Sequence, residues 1–523
     1  MADDPPIGTL VDLLADRAAR SPDREFLRFA EGSWTFSAVD VWSSRLAQRL
    51  ILEDRVLPGD RVAIMLPNVV QWPIAWLAIL KAGAVAVPVN SSYQRADLSF
   101  VLRDSGARVV VTDADHIPLV DDVCSADDEL GHVRTLEVAS AAALARFPAE
   151  RPTVSLARET LANLQYTSGT TGFPKACMLT HDYWTRLGWI CAHAAGLGPD
   201  DMALTSQPFS YMDPQWNTAL CLTIGAPLVV LRKFSASGFM ADVRLHRATF
   251  CYVLGSMPTL LFKQPASSRD RDNNLRLVLC SAIPADLHER LEKRWGAPWR
   301  EIFGMTESGV DLVSLPEHVA DVGSGCLGRP VATKRIRVVD AAGRDVTDGR
   351  PGQLITSGAP MMLGYWNRPD DTAEVLRNGW LQTGDVVVRE ANSYRLVGRI
   401  KDMVRRGGEN IASAEVERAL ERDERVLAAA VVGVPDALFG EEVKAFVQLA
   451  PGVEESRETA RQIIDTARTE LARFKIPRFV EFVADLPRTP SERVAKQELR
   501  IRASEHPGVT HDLQLSDEFR GRS

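Results

Sequence analysis

The sequence predicts an α/β protein: a large N-terminal domain built on several mostly parallel βαβ sheets, followed by a small α+β C-terminal domain. Three observations predict it. Short β-branched runs at 85–89 and 109–111 alternate with helical patterns at 70–82 and 94–104, the mark of βαβ crossovers. The chain has 523 residues, more than one compact core holds, so at least two domains are expected. Beyond residue 400 the pattern becomes helix 413–422, strands 428–434 and 442–449, helix 459–472 and strand 479–482. That is a set of about one hundred residues, a normal size for a small domain.

Taken in order, residues 8–58 read as helices around a hairpin of 26–29 and 33–36, and 59–68 as a strand and turn. The most apolar run, 74–89, is interrupted by Lys81, Gly83 and Pro88, so it reads as a buried helix and a strand rather than a membrane span. Residues 124–158 are acidic and Ala-rich without a strong period, and read as surface helix and loop. His181 opens a helix to about 196; strand 228–231, helix 239–247 and strand 250–254 continue the alternation and imply a second sheet. Residues 275–279 form a buried strand. The polar stretch after about 505, with Pro507, reads as a frayed, disordered tail over 506–523.

Composition narrows the function. Sixty-one Lys and Arg against 69 Asp and Glu give a net charge of −8 with no long basic block, which argues against a nucleic-acid partner. The first residues, Met1 to Pro6, are acidic and lack an apolar core, so they do not read as a signal peptide. Seven scattered cysteines with no Cys-x-x-Cys pair suggest reduced thiols, a cytoplasmic setting and no structural zinc.

The stretch that carries chemistry is Leu164-Gln165-Tyr166-Thr167-Ser168-Gly169-Thr170-Thr171-Gly172-Phe173-Pro174-Lys175. Glycines let a backbone turn its N–H groups toward an anion, hydroxyls add donors, and Lys175 adds a mobile positive charge. A bare Thr/Ser/Gly run is also what a polar linker looks like. It is not a Walker A loop, which needs Lys directly after Gly.

Tyr166 to Lys175 resembles the signature loop of the adenylate-forming superfamily: acyl-CoA synthetases, peptide-synthetase adenylation domains and luciferases. The resemblance covers nearly the whole chain and implies that Thr167, Ser168, Gly169, Thr170, Thr171, Gly172 and Lys175 hold the β- and γ-phosphates of ATP. Glu301-Ile302-Phe303-Gly304-Met305-Thr306-Glu307 is similar to the family's aromatic-Gly-x-Thr-Glu motif. It implies that Phe303 stacks on adenine beside Gly304, Thr306 binds the α-phosphate and Glu307 holds Mg²⁺. Cys280-Ser281-Ala282-Ile283 stands where the family has Gly-Gly-Ala cradling adenine; Ser281 and Ala282 remain small enough to keep the backbone approachable. Asp385, after Gly384, matches the ribose ligand, and Arg399 matches a ribose or phosphate contact. Met362-Leu363-Gly364-Tyr365-Trp366 matches a turn that reads as structural.

The resemblance makes the second domain a mobile lid, with the division at 1–399 and 400–505 and Lys401 as hinge. Arg405 to Gly408, including Gly407 and Gly408, matches the loop that closes over the pantetheine arm in CoA-forming relatives. In Pro487-Arg488-Thr489-Pro490-Ser491-Glu492-Arg493 the family's Gly-Lys becomes Glu492-Arg493, so the catalytic lysine is replaced by arginine, with Lys496 three residues on. Tyr211 would line the acyl pocket, and Met212, Trp216 and Val310 would complete an apolar wall for a bulky or aromatic acid. The Met212-Asp213-x-Gln215 run is similar to carnitine- and crotonobetaine-CoA ligases, although for Asp213 and Trp216 ordinary packing is the favoured reading. The implied reaction uses ATP, Mg²⁺ and CoA to turn a carboxylic acid into an acyl-adenylate and then a thioester. Three alternatives stay open: adenylation alone, loading of a phosphopantetheinyl carrier protein, and a degenerate acyl-nucleotide binding module. The acid and the oligomeric state, a homodimer included, are not legible.

Overall fold

The computed structural model describes residues 8–138, 140–167, 174–407, 409–488, 494–505 and 510–513. The expected ligands Ser168, Gly169, Thr170, Thr171, Gly172 and Gly408, and the expected catalytic Arg493, lie outside the described residues. By internal contacts the chain divides into two compact units, Met1–Ile336 with Thr356–Gln382, and Arg337–Ile355 with Thr383–Ser523.

The first unit holds two large sheets. One has six strands in the order Arg134–Glu137, Ala107–Thr112, Arg61–Met65, Val85–Pro88, Leu161–Thr167 and Lys175–Thr180. Its pairs are parallel until the last, where Leu161–Thr167 and Lys175–Thr180 run antiparallel. The other has nine strands, Arg329–Pro330, Gly309–Val313, Trp299–Met305, Leu277–Ser281, Phe250–Leu254, Ala203–Thr205, Leu228–Val230, Glu25–Phe29 and Gly32–Thr35. Here too the interior is parallel, and the antiparallel pairs lie toward the two ends. Parallel pairing needs a crossover, and the helices supply it. Helix Gln71–Lys81 is apolar on every face and buries every residue after Gln71, as a helix enclosed between layers must. Its terminal Lys81 is fully buried because Asp40 Oδ1 lies 2.6 Å and Ser44 Oγ 2.9 Å from the ammonium. Helix His181–Ala194 starts at Thr180, whose hydroxyl accepts the Tyr183 N–H at 3.2 Å.

The second unit contains most of a five-stranded sheet ordered Arg335–Val339, Pro351–Ser357, Trp380–Glu390, Leu376–Arg377, with Ser393–Arg399 on Trp380–Glu390. It also holds a six-stranded sheet ordered Glu409–Ala412, Met403–Arg406, Gly440–Leu449, Phe479–Phe482, Thr510–Asp512, with Val426–Asp436 on Gly440–Leu449. Helices Ser413–Glu421 and Arg457–Arg468 close one core, through Val416, Leu420, Ile463 and Val480.

Two expectations change. Residues 124–158 contain a strand, Arg134–Glu137, whose outward residues are polar and whose buried contribution is Leu136 alone, so no apolar period marks it. The expected tail supplies a strand, Thr510–Asp512. It is fixed by Arg478, which donates to both Asp512 carboxylate oxygens at 3.2 and 3.0 Å, and by the buried Leu513. By internal contacts, Arg337–Ile355 and the chain from Thr383 to Arg399 group with the residues beyond 400.

Candidate active site

Two antiparallel hairpins, one in each large sheet, hold most of the expected ligands of the first unit among the described residues. In the six-stranded sheet Thr167 stands opposite Lys175, and its hydroxyl donates to the Lys175 carbonyl at 3.3 Å. The Lys175 ammonium lies 2.9 Å from Asp371 Oδ1 and 5.5 Å from the centre of the Tyr365 ring. Segment 363–366 is held beside strand Lys175–Thr180 by main-chain bonds, Met178 N–H to Gly364 O at 2.9 Å and Trp366 N–H to Ala176 O at 2.8 Å.

In the nine-stranded sheet, strands Trp299–Met305 and Gly309–Val313 pair with Met305 opposite Gly309, leaving Thr306, Glu307 and Ser308 at the tip. Gly309 turns the chain at φ +73, and a Cβ on Gly304 would lie 1.9 Å from the Gly309 carbonyl oxygen, so this close crossing requires glycine. The Tyr365 hydroxyl donates to Glu307 Oε1 at 2.8 Å, and Met362 N–H donates to the Glu307 carbonyl at 2.8 Å. One tyrosine thus touches both hairpins: its ring faces Lys175 and its hydroxyl holds Glu307. Burial first, and then the Glu307 carboxylate, raise that phenol well above its ordinary pKa, so it stays a donor. The Thr306 hydroxyl points to the Met212 sulfur at 3.5 Å, a weak acceptor, and its carbonyl accepts from Tyr183 Oη at 2.9 Å. Phe303 is half-buried opposite Leu312.

Ser281 ends the parallel strand next to Trp299–Met305, and Ala282 follows at φ +73, the left-handed region. The Ser281 hydroxyl donates to the Ile302 carbonyl at 2.7 Å and accepts from Tyr252 Oη at 2.9 Å. The Ala282 and Ile283 N–H groups donate to the two carboxylate oxygens of Glu301 at 2.7 and 2.8 Å. Burial pushes the Glu301 carboxyl up to about 8, opposed by the Ile283 and Ala282 bonds.

The expected acyl wall divides. Trp216 and Val310 are buried in the main core, Trp216 edge-on to Tyr252 at 5.2 Å. Tyr211 and Met212 are half-buried, and Asn90 Nδ2 donates to Tyr211 Oη at 3.1 Å. The segment before Tyr211 is fixed by buried amides. Gln215 Nε2 donates at 3.0 Å to each of Gln165 Oε1, Phe209 O and Tyr211 O, and Gln165 Nε2 donates to Ser210 O at 2.8 Å.

In the second unit Asp385 is buried on strand Trp380–Glu390 opposite Arg399, whose Nε donates to Asp385 Oδ1 at 2.8 Å. Lys401 lies in the 3₁₀ turn Ile400–Asp402; partial burial and then Arg399 push its ammonium below its ordinary pKa. Arg500 straps this turn, donating to the Lys401 carbonyl at 2.9 Å and to Asp402 Oδ1 at 3.1 Å. Gly407, at φ +57, caps the hairpin of Met403–Arg406 and Glu409–Ala412, and its N–H donates to Phe439 O at 2.9 Å.

Sequence reasoning missed Glu301 and Asp371 and took Tyr365 for a turn residue only. Glu301 borders a recognised motif and could have been suspected; Asp371 lies 196 positions from Lys175 with no local signal.

Residues 14–366 match the model of the AMP-binding enzyme family, and residues 415–493 match its C-terminal domain. A feruloyl-CoA synthase from Amycolatopsis sp is 34% identical over 93% of this chain and 97% of its own. A crotonobetaine/carnitine–CoA ligase from Citrobacter koseri is 29% identical over 86% of this chain and 90% of its own. The crystal structure of ATP-bound MatB from Rhodopseudomonas palustris superposes with a TM-score of 0.85 at 26% identity, covering 95% of this chain and 99% of that one. The chain thus belongs to the AMP-binding enzyme family, the adenylate-forming superfamily of acyl-CoA ligases.

Proposed function

We infer that the chain activates a carboxylic acid with ATP and transfers the acyl group to CoA. The acid's carboxylate oxygen attacks the α-phosphorus, and pyrophosphate leaves. The CoA sulfur then attacks the acyl carbonyl, its proton is released, and AMP leaves with the bridging oxygen. The observation that carries this reading is the Lys175–Tyr365–Glu307 chain of contacts, which puts a cation for phosphate and a carboxylate for a metal on one tyrosine.

Positioning and charge neutralisation do most of the work in such a phosphoryl-centre reaction. Lys175 neutralises the β- and γ-phosphates with the backbone of 168–172. The Thr306 hydroxyl, which points to the Met212 thioether among the described residues, turns to the α-phosphate. Glu307 serves as the protein's magnesium ligand. No group of three or more His, Cys, Asp and Glu is arranged for a metal among the described residues, and one carboxylate plus substrate phosphates is a donor set that magnesium accepts. When bound, the ion would offset the charge of the departing pyrophosphate. Asp385 accepts the ribose hydroxyls with Arg399 beside it. Arg493 supplies the positive charge for adenylation, Lys401 acts as the hinge, and the Gly407–Gly408 loop serves the thiol half-reaction.

For the acid, Tyr211 and Met212 form the accessible rim over a floor set by Trp216 and Val310, which suits a bulky, apolar or aromatic carboxylate. The feruloyl name of a relative at 34% identity supports the aromatic class. Seven buried, unpaired cysteines support a reducing, cytoplasmic setting. The test is pyrophosphate release across a panel of aromatic, aliphatic and dicarboxylic acids. Release with at least one aromatic acid is expected, and none with any acid would overturn the reading.

A further inference from the structure

The Ser281–Ile283 turn contains a conformation that its own sequence does not favour. Ala282 sits at φ +73. A Cβ makes that region roughly tenfold less populated than the right-handed one, a penalty that glycine escapes. Something outside the turn must hold it there. Ser281 is fastened on one side by its bonds with Ile302 O and Tyr252 Oη. On the other side two successive N–H groups, of Ala282 and Ile283, converge on the two oxygens of one carboxylate. That carboxylate is Glu301, 6% exposed, on the adjacent parallel strand where Cys280 pairs with Glu301. Convergence of both N–H groups on one side chain fixes φ and ψ between them. The turn lies past the C-terminal end of a parallel strand, where α/β sheets bind their ligands.

We propose that Glu301 is a positioning residue for ATP: it clamps Ala282 in the left-handed conformation, so that the backbone of Ser281–Ala282 lies flat for the adenine ring. The proposal rests on the reading that this turn meets adenine. Glu301 touches no reacting atom. Its removal affects nucleotide binding and leaves acid binding and the chemical step in place.

The test is a cycle of Glu301→Gln, Ala282→Gly and the double variant, read by calorimetric titration with AMP and by the KM for ATP in pyrophosphate release. Gln keeps the shape of Glu but presents an NH₂ to one of the two N–H donors. Glu301→Gln should weaken AMP binding and raise the KM for ATP about tenfold, the size of one buried N–H left without its acceptor, with kcat and the KM for the acid within about twofold. In the double variant, glycine removes the conformational penalty, and AMP affinity should return to within about threefold of wild type. Should Glu301→Gln not fold, Glu301→Asp carries the same test, since it keeps the carboxyl and withdraws it by one methylene. Unchanged AMP affinity, a parallel rise in both KM values, or no rescue by Ala282→Gly would overturn the proposal. Failure of the wild type to bind AMP at all would overturn it as well. AMP binding without pyrophosphate release from any acid would instead contradict the proposed reaction and leave the Glu301 clamp standing.

Discussion

Lys175 and Asp371 form an ion pair, Nζ to Oδ1 at 2.9 Å, at the strand end that leads out of the Thr/Ser/Gly loop. Both side chains keep some solvent access, 16% and 30%, so the pair contributes at most about 1 kcal/mol. A triphosphate offers Lys175 several charged oxygens where Asp371 offers one. Asp371 therefore competes with ATP for the ammonium. Asp371→Asn should lower the KM for ATP about two- to threefold, and Lys175→Ala should raise it about tenfold. Steady-state pyrophosphate release against ATP concentration checks both. A raised KM in Asp371→Asn would mean that Asp371 orients Lys175 instead.

Glu307 has its Oε1 engaged by the Tyr365 hydroxyl at 2.8 Å. Glu307→Gln preserves that bond through the amide oxygen and deletes only the charge. Pyrophosphate release should fall about 100-fold, while Tm stays within a few degrees of wild type. A variant with normal release at limiting magnesium would remove Glu307 from the metal site.

The residues explain which parts of this molecule could be read from sequence. The apolar run at 74–89 was legible as helix and strand because residues from Trp72 to Lys81 and from Val85 to Pro88 are all buried, which demands uninterrupted apolar side chains apart from a paired lysine. The stretches 164–175 and 301–307 stood out in the sequence because runs of Gly, Ser and Thr and the order aromatic-Gly-x-Thr-Glu are rare away from special turns, whereas the antiparallel pairings Thr167 with Lys175 and Met305 with Gly309 were not read from it. Strand Thr510–Asp512 was not legible: its stability comes from Arg478, more than 30 positions away in sequence. The left-handed Ala282 was hidden for the opposite reason. A glycine would have announced the turn, whereas here the information sits in Glu301, on another strand. Asp371 and Tyr365 likewise act only through tertiary contact.

Lys496 is the alternative to Arg493 for the charge of the adenylation step. Lys496 opens helix Lys496–Glu505 and its ammonium lies 2.7 Å from Glu417 Oε1, both groups 16% exposed. Lys496 is thus committed to an ion pair within its own unit. Arg493→Ala should slow pyrophosphate release about 100-fold and change thioester formation from supplied acyl-adenylate less than threefold. Lys496→Ala should leave both rates within about threefold. A silent Arg493→Ala with a damaging Lys496→Ala would move the catalytic role to Lys496.

His181 makes a stability prediction. It is 1% exposed at the start of helix His181–Ala194, and burial lowers its pKa to about 4, with Asp12 opposing the shift and Arg151 adding to it. Between the unfolded value near 6.5 and about 4 the unfolded chain binds the extra proton, so stability falls as pH falls through that window. The loss should be about 3 kcal/mol and complete near pH 4. Denaturant unfolding at pH 7.5, 6, 5 and 4 should show a shallower decline for His181→Gln than for wild type. Parallel declines would show that other groups carry the acid sensitivity.

The central claim is that one chain carries out both half-reactions. The most direct measurement is the product ratio in a single reaction with ATP, magnesium, CoA and an aromatic acid that supports pyrophosphate release. The account predicts AMP, pyrophosphate and acyl-CoA thioester in equal amounts, with thioester lost and acyl-adenylate retained when CoA is omitted. Formation of ADP, or of AMP and pyrophosphate with no thioester in the presence of CoA, would contradict it.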